Sequence, residues 1–162
     1  MVFALVGIIA MVPTAFAQQD GSTKLAFGGL KGDPSLPVTV TSQTFTVDEA
    51  AGTALFDGDV LVVQGQMRLS ADRVRAIYDG KTERIERLWA EGNVILVNAD
   101  DAAQSETAEY VIDDGVVTML GTVVLTQGPA TFTAAKMVAD LTTGFGQLQG
   151  GVTSTFTPSA AP

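Results

Sequence analysis

A glycine returns along this chain at positions 58, 92, 121 and 150, at separations of 34, 29 and 29 residues, each time at the head of an apolar run. The neighbouring residues repeat with it: Phe56-Asp57-Gly58-Asp59-Val60-Leu61-Val62, then Ala90-Glu91-Gly92-Asn93-Val94-Ile95-Leu96, then Met119-Leu120-Gly121-Thr122-Val123-Val124-Leu125, and more faintly Leu148-Gln149-Gly150-Gly151-Val152. A second landmark follows each of the first three, at Asp79-Gly80, Asp114-Gly115 and Thr143-Gly144. A repeat of this length implies stacked supersecondary units, none of which can bury its apolar face alone. The body of the chain is therefore one continuous, repeat-built domain.

Each unit reads as β-structure. Short runs rich in Val, Ile, Leu and Thr are punctuated by turn residues, among them Gln64-Gly65, Asp79-Gly80, Asn98-Ala99-Asp100-Asp101, Asp114-Gly115, Gln127-Gly128-Pro129 and Thr143-Gly144. The run 73–78 alternates, setting Val74, Ala76 and Tyr78 on one face and Arg73 and Arg75 on the other. After Gly58 and Gly92 both faces are apolar, and periodicity does not say which points inward. The stretch 82–90 is the one place a helix competes, and its β-compatible residues favour strand. The recurring glycine marks either a bulge that turns the sheet or a close approach to the backbone, and its presence in every unit favours the bulge.

Length and composition narrow the function. At 162 residues and 46% hydrophobic content the chain can bury one real core. It has neither Cys nor His, which excludes disulfides, thiolate nucleophiles, zinc fingers, iron–sulfur sites and His-based triads. A formal net charge of −9 argues against a nucleic-acid partner. The charge is uneven: six of the nine basic residues fall within 68–87. Carboxylates stand near strand ends at Asp72, Glu106 and Asp140, and Asp57 and Asp59 flank a glycine, but no aromatic platform for sugar accompanies them. Asp100-Asp101 lacks the spaced oxygen ligands of a calcium loop. No catalytic residue, metal site or cofactor is expected, and these acids read as turn formers.

The ends differ from the body. Residues 1–17 combine an apolar run too short to span a bilayer with Ala15-Phe16-Ala17, the small-x-small pattern of a cleavable signal. Residues 18–37 read as an extended leader arm, 38–152 as a single all-β domain, and 153–162 as a disordered tail. The β-surface, rich in small aliphatic residues, suits two designs. Facing layers can pack and fill their own core, as in a structural scaffold of the envelope, or splay to leave a trough for alkyl chains, each buried methylene contributing about 0.8 kcal/mol. An acidic carbohydrate hydrolase is a third and weaker reading.

The runs Phe56-x-Gly58-x-Val60-x-Val62-x-Gln64-Gly65 and Leu69-Ser70-Ala71-Asp72-x-Val74 carry a resemblance. So do Leu88-x-Ala90-x-Gly92-Asn93-Val94, Ala108-Glu109-Tyr110, Val123-x-Leu125-x-Gln127-Gly128 and Ala139-Asp140-Leu141-x-Thr143-Gly144. Together, over residues 38–152, the sequence resembles the OstA-like family and, within it, the LptA-type lipopolysaccharide-transport branch. The resemblance implies an open, V-shaped antiparallel β-jellyroll in the periplasm whose apolar interior holds the lipid A acyl chains of lipopolysaccharide. It further implies head-to-tail self-association and partners resembling LptC at the inner membrane and LptD at the outer membrane, with no covalent chemistry. By the same resemblance, the groove would be lined by Val60, Val62, Val74, Ala76, Tyr78, Val94, Leu96, Tyr110, Ile112, Val123 and Leu125. Arg68, Arg73 and Arg75 would be the basic residues nearest lipid phosphates.

Overall fold

The computed structural model describes residues 23–26, 30–82 and 84–157, so the segment read as a signal, 1–17, lies outside the described residues. The aliphatic and Thr-rich runs form antiparallel strands that meet at the turns marked by Gly, Asp and Asn. In chain order they are β1 (Thr23–Ala26), β2 (Thr39–Thr41), β3 (Thr44–Asp48), β4 (Thr53–Gln64), β5 (Met67–Tyr78), β6 (Ile85–Asn98), β7 (Asp101–Val111), β8 (Val116–Gln127), β9 (Ala130–Asp140), β10 (Phe145–Gln149) and β11 (Thr153–Phe156). They make one sheet in the order β1-β10-β9-β8-β7-β6-β5-β4-β2, with β3 also beside β4 and β11 also beside β9. The stretch in which a helix competed is strand from Ile85 onward.

The long ladders slip at mid-strand, between Asp57 and Val60, between Glu91 and Val94, and between Leu120 and Val123. At each slip two successive residues take left-handed backbone: Gly58 and Asp59 (φ 82° and 47°), Gly92 and Asn93 (78° and 47°), Gly121 and Thr122 (81° and 42°). These pairs are bulges that turn the strand through a corner. Glycine is required at Gly121 for two reasons. Its φ is one that L side chains rarely adopt, and a Cβ there would come within 2.6 Å of Glu106 on the neighbouring strand. The bulge reading of the repeated glycine holds, and the space beside it is taken by a side chain of the same protein: Gln43 at Gly58, Asp72 at Gly92 and Glu106 at Gly121. Gly121→Ala is expected to destabilise the fold by roughly 1–3 kcal/mol. Gly80→Ala, whose Cβ would meet nothing within 4 Å, should be near neutral. Urea unfolding followed by the fluorescence of the single Trp, Trp89, measures both.

The row of corners divides the sheet into two layers. The first contains residues 53–57, 73–78, 85–91, 107–111, 116–120 and 136–140 with β1, β3 and β10. The second contains residues 60–64, 67–70, 94–98, 101–104, 123–127 and 130–134 with β2 and β11. Their inner faces form one apolar cluster. Burial decides the faces that periodicity left open: Val60, Val62, Val94 and Leu96 point inward, while Leu61, Ile95 and Val97 point outward.

Both ends of the domain are more ordered than their composition suggests. The described part of the leader is tied into the fold, with β1 paired to β10, Leu30 fully buried and a turn closed by the Leu36 N–H on the Asp33 carbonyl. Residues 153–156, read as the start of a disordered tail, instead form β11 along β9. Their β-branched threonines suit an edge strand, and the Phe156 ring meets Phe132 edge-on at 6.0 Å. Residues 158–162 of that tail lie outside the described residues.

Candidate functional site

The apolar interior between the layers is the feature to which the repeat gives most of its side chains. Val60, Val62, Val94, Leu96, Val123 and Leu125 reach it from the second layer, and Val74, Ala76 and Tyr110 from the first. Ile112 joins it from the β7–β8 turn, and Tyr78 packs half-buried against its margin. Every candidate lining residue therefore belongs to, or packs on, a single cluster. Sequence reasoning missed Leu88, Met119 and Met137, each fully or nearly buried. Alternation about the repeat could have found the first two, since Leu88 and Met119 each lie two residues from an inward-facing Ala90 or Val117.

The layers touch. Val74, Leu96, Val117, Met119, Val123 and Leu125 have no solvent exposure, so the interior is closed to water in this structure. Among the described residues one side-chain hydrogen bond bridges the layers near their free ends. The buried Tyr110 hydroxyl, on the first layer, donates to Gln64 Oε1, on the second, at 2.7 Å. Burial pushes the Tyr110 phenol up to about 12.

The side opposite the corners, where the layers would gape, is crossed by residues 30–37. Gly32 N–H donates to the Leu141 carbonyl at the end of the first layer, and Pro34 lies against Gly115 in another of its turns. Side-chain amides at the ends of the second layer hold the same segment. Gln64 Nε2 donates to the Pro34 and Leu36 carbonyls at 3.1 and 2.8 Å, and Asn98 Nδ2 to the Lys31 carbonyl at 3.0 Å. Gln127 Nε2 reaches the Ala26 carbonyl at 3.1 Å and Asp101 Oδ2 at 3.0 Å.

The basic candidates lie outside the interior. Arg73 binds Asp57 at 2.7 Å and Glu91 at 3.4 Å, while Arg68 and Arg75 are exposed. Arg68 is on the second layer and the other two on the first, so the structure does not bring the three together. The carboxylates weighed for catalysis are dispersed and engaged locally. Asn93 Nδ2 donates to Asp72, Gln43 Nε2 donates to Asp59, and Glu106 packs over Gly121. Asp140 receives the Thr142 hydroxyl and the Thr143 amide, which hold its carboxyl down to about 2. Among the described residues no three potential ligands cluster as a metal site would need. What remains chemically is a closed apolar interior, two open sheet ends and a crossed mouth.

Comparison with known proteins places this arrangement. The sequence profile described as the LptA/(LptD N-terminal domain) LPS transport protein matches residues 39–145. No curated protein matches the chain by sequence. Among solved structures the fold is similar to the crystal structure of LptH, the LptA homologous periplasmic component of the conserved lipopolysaccharide transport device from Pseudomonas aeruginosa. The TM-score is 0.70 at 19% identity, over 78% of this chain and 99% of that one.

Proposed function

The chain belongs to the LptA/LptD N-terminal family of lipopolysaccharide transport proteins, and we propose that it carries lipid A acyl chains between its two inner faces in the periplasm. A member of this family is a transport protein and not an enzyme. The observation that carries the reading is the uniform apolarity of the interior, built from small and medium aliphatic side chains on both layers and reaching across β4 to β9. Such a lining offers alkyl chains burial at about 25 cal/mol per Å² without demanding a polar partner. Because the faces touch in this structure, loading requires them to part.

The two ends of the sheet support a bridge. One end presents β2 and β3 and the other β1 and β11, each with one side unpaired among the described residues. Unpaired strands are templates for adding another strand. Phe45 and Val47 are more than half exposed on one end and Phe156 on the other. Head-to-tail stacking of copies, with an LptC-like protein at one terminus and an LptD-like protein at the other, uses these ends. Export would follow from the signal read at 1–17.

The closed interior also fits a second reading, a filled-core scaffold. Photo-crosslinking separates the two. A photo-reactive residue in place of Val62 or Leu96 should capture lipopolysaccharide, and one in place of the outward Arg75 should not. Equal capture at all three positions, or none, would remove the carrier.

A further inference from the structure

Residues 30–37 contribute nothing to the sheet, yet they run the length of its mouth. They lie between β1 and β2 in the chain and touch turns of the first layer and side chains at the ends of the second. The amides that hold this path occupy one position in the repeat. Gln64, Asn98 and Gln127 each lie six residues beyond a corner glycine, at 58, 92 and 121. They meet the chain in order: Gln127 at Ala26 in β1, ahead of the segment, then within it Asn98 at Lys31 and Gln64 at Pro34 and Leu36. Gln64 and Asn98 are nearly inaccessible to solvent, a costly place for a carboxamide unless its N–H groups are satisfied. Leu30, at one end of the path, inserts its side chain into the core with no exposure at all.

Resting on the carrier reading, we propose that residues 30–37 form a removable strap, clamped by the carboxamide ladder, that shuts the groove until acyl chains displace it. Leu30 then holds the place of an alkyl group and gives it up on loading. The strap is built to leave. Pro34 and Pro37 have no N–H to donate, and the segment's backbone bond to the layers runs from Gly32 to Leu141. The remaining ties are side-chain amides to carbonyls, which can exchange for water one at a time, unlike a cooperative strand ladder. Beside the strap lies an open cleft of about 300 Å³, lined by Pro34, Leu36, Arg84, Ile85 and Ile112 among others.

The chain's lack of Cys makes a direct test available. A Cβ on Gly32 would lie 3.8 Å from that of Leu141, the usual separation across a disulfide. Gly32→Cys/Leu141→Cys, carrying a photo-reactive residue at Leu96, is oxidised and exposed to purified lipopolysaccharide, then reduced and exposed again. Capture by the oxidised form should fall at least tenfold and return on reduction of the same molecules, which rules out misfolding as the cause. Asn98→Asp, isosteric but with a carboxylate facing the Lys31 carbonyl, should raise the initial capture rate severalfold over the wild type. Equal capture by oxidised and reduced protein would overturn the strap and assign loading to the open ends of the sheet. Absence of capture by the Cys-free protein with the same probe would instead remove the carrier reading, and the strap with it.

Discussion

Val123→Asp is expected to unfold the protein or bring it to the edge of unfolding, while Val124→Asp leaves it folded. The two positions are adjacent on β8, just past the Gly121 corner, and differ in the face they occupy. Val123 has no exposure and lies within the cluster shared by both layers, and Val124 is half-exposed on the outer side. A carboxylate at 123 would lose its water without gaining a cation, because the one basic residue of β8 and β9, Lys136, sits at a half-exposed position. Leaving a buried charge uncompensated costs roughly 3–5 kcal/mol. Domains of this size have about 5–15 kcal/mol in total. At 124 the charge stays hydrated, and the loss should be about 1 kcal/mol or less. Urea midpoints from Trp89 fluorescence decide it. A wild-type midpoint for Val123→Asp would mean that water already reaches the interior and that the layers stand apart at rest.

Gln64→Leu is the second large effect, and its size comes from one side chain serving three partners. The amide accepts from the Tyr110 hydroxyl and donates to the Pro34 and Leu36 carbonyls. Leucine fills similar space but leaves a buried hydroxyl and two carbonyls unserved, at about 1–3 kcal/mol for a fully buried group. A total loss of about 3 kcal/mol is expected. Tyr110→Phe alone should cost about 1–3 kcal/mol. The double variant should lose less than the sum by about 1 kcal/mol, since removing both partners leaves neither stranded. Strict additivity would mean that the two layers are not bridged there in solution.

Tyr110 also adds a signature in alkali. Its folded pKa is pushed up to about 12 by burial, against roughly 10 for an unfolded tyrosine. Between those values the folded state binds more protons than the unfolded state, so stability falls as pH rises through that window. Tyr110→Phe should remove that part of the alkaline loss.

The repeat, the corners and the turns were legible in the amino-acid sequence because each is decided locally. Gly92 bends a strand by what its own φ permits, Asp114-Gly115 turns within four residues, and the alternation of Val74, Ala76 and Tyr78 follows the pleat. The motifs around Gly58 and Gly92 carried the family resemblance for the same reason. Three things were decided only in three dimensions. Whether Val60 or Leu61 faces inward depends on which side the second layer folds over, and two apolar faces hold no local record of that. The carboxamides at 64, 98 and 127 looked like ordinary turn residues, although their spacing from the glycines was there to see. Their role needs partners as far as 101 residues away, as in the Gln127 to Ala26 hydrogen bond. The leader's path across the mouth is likewise fixed by the ends of both layers together, and a free chain has no mouth for it to cross.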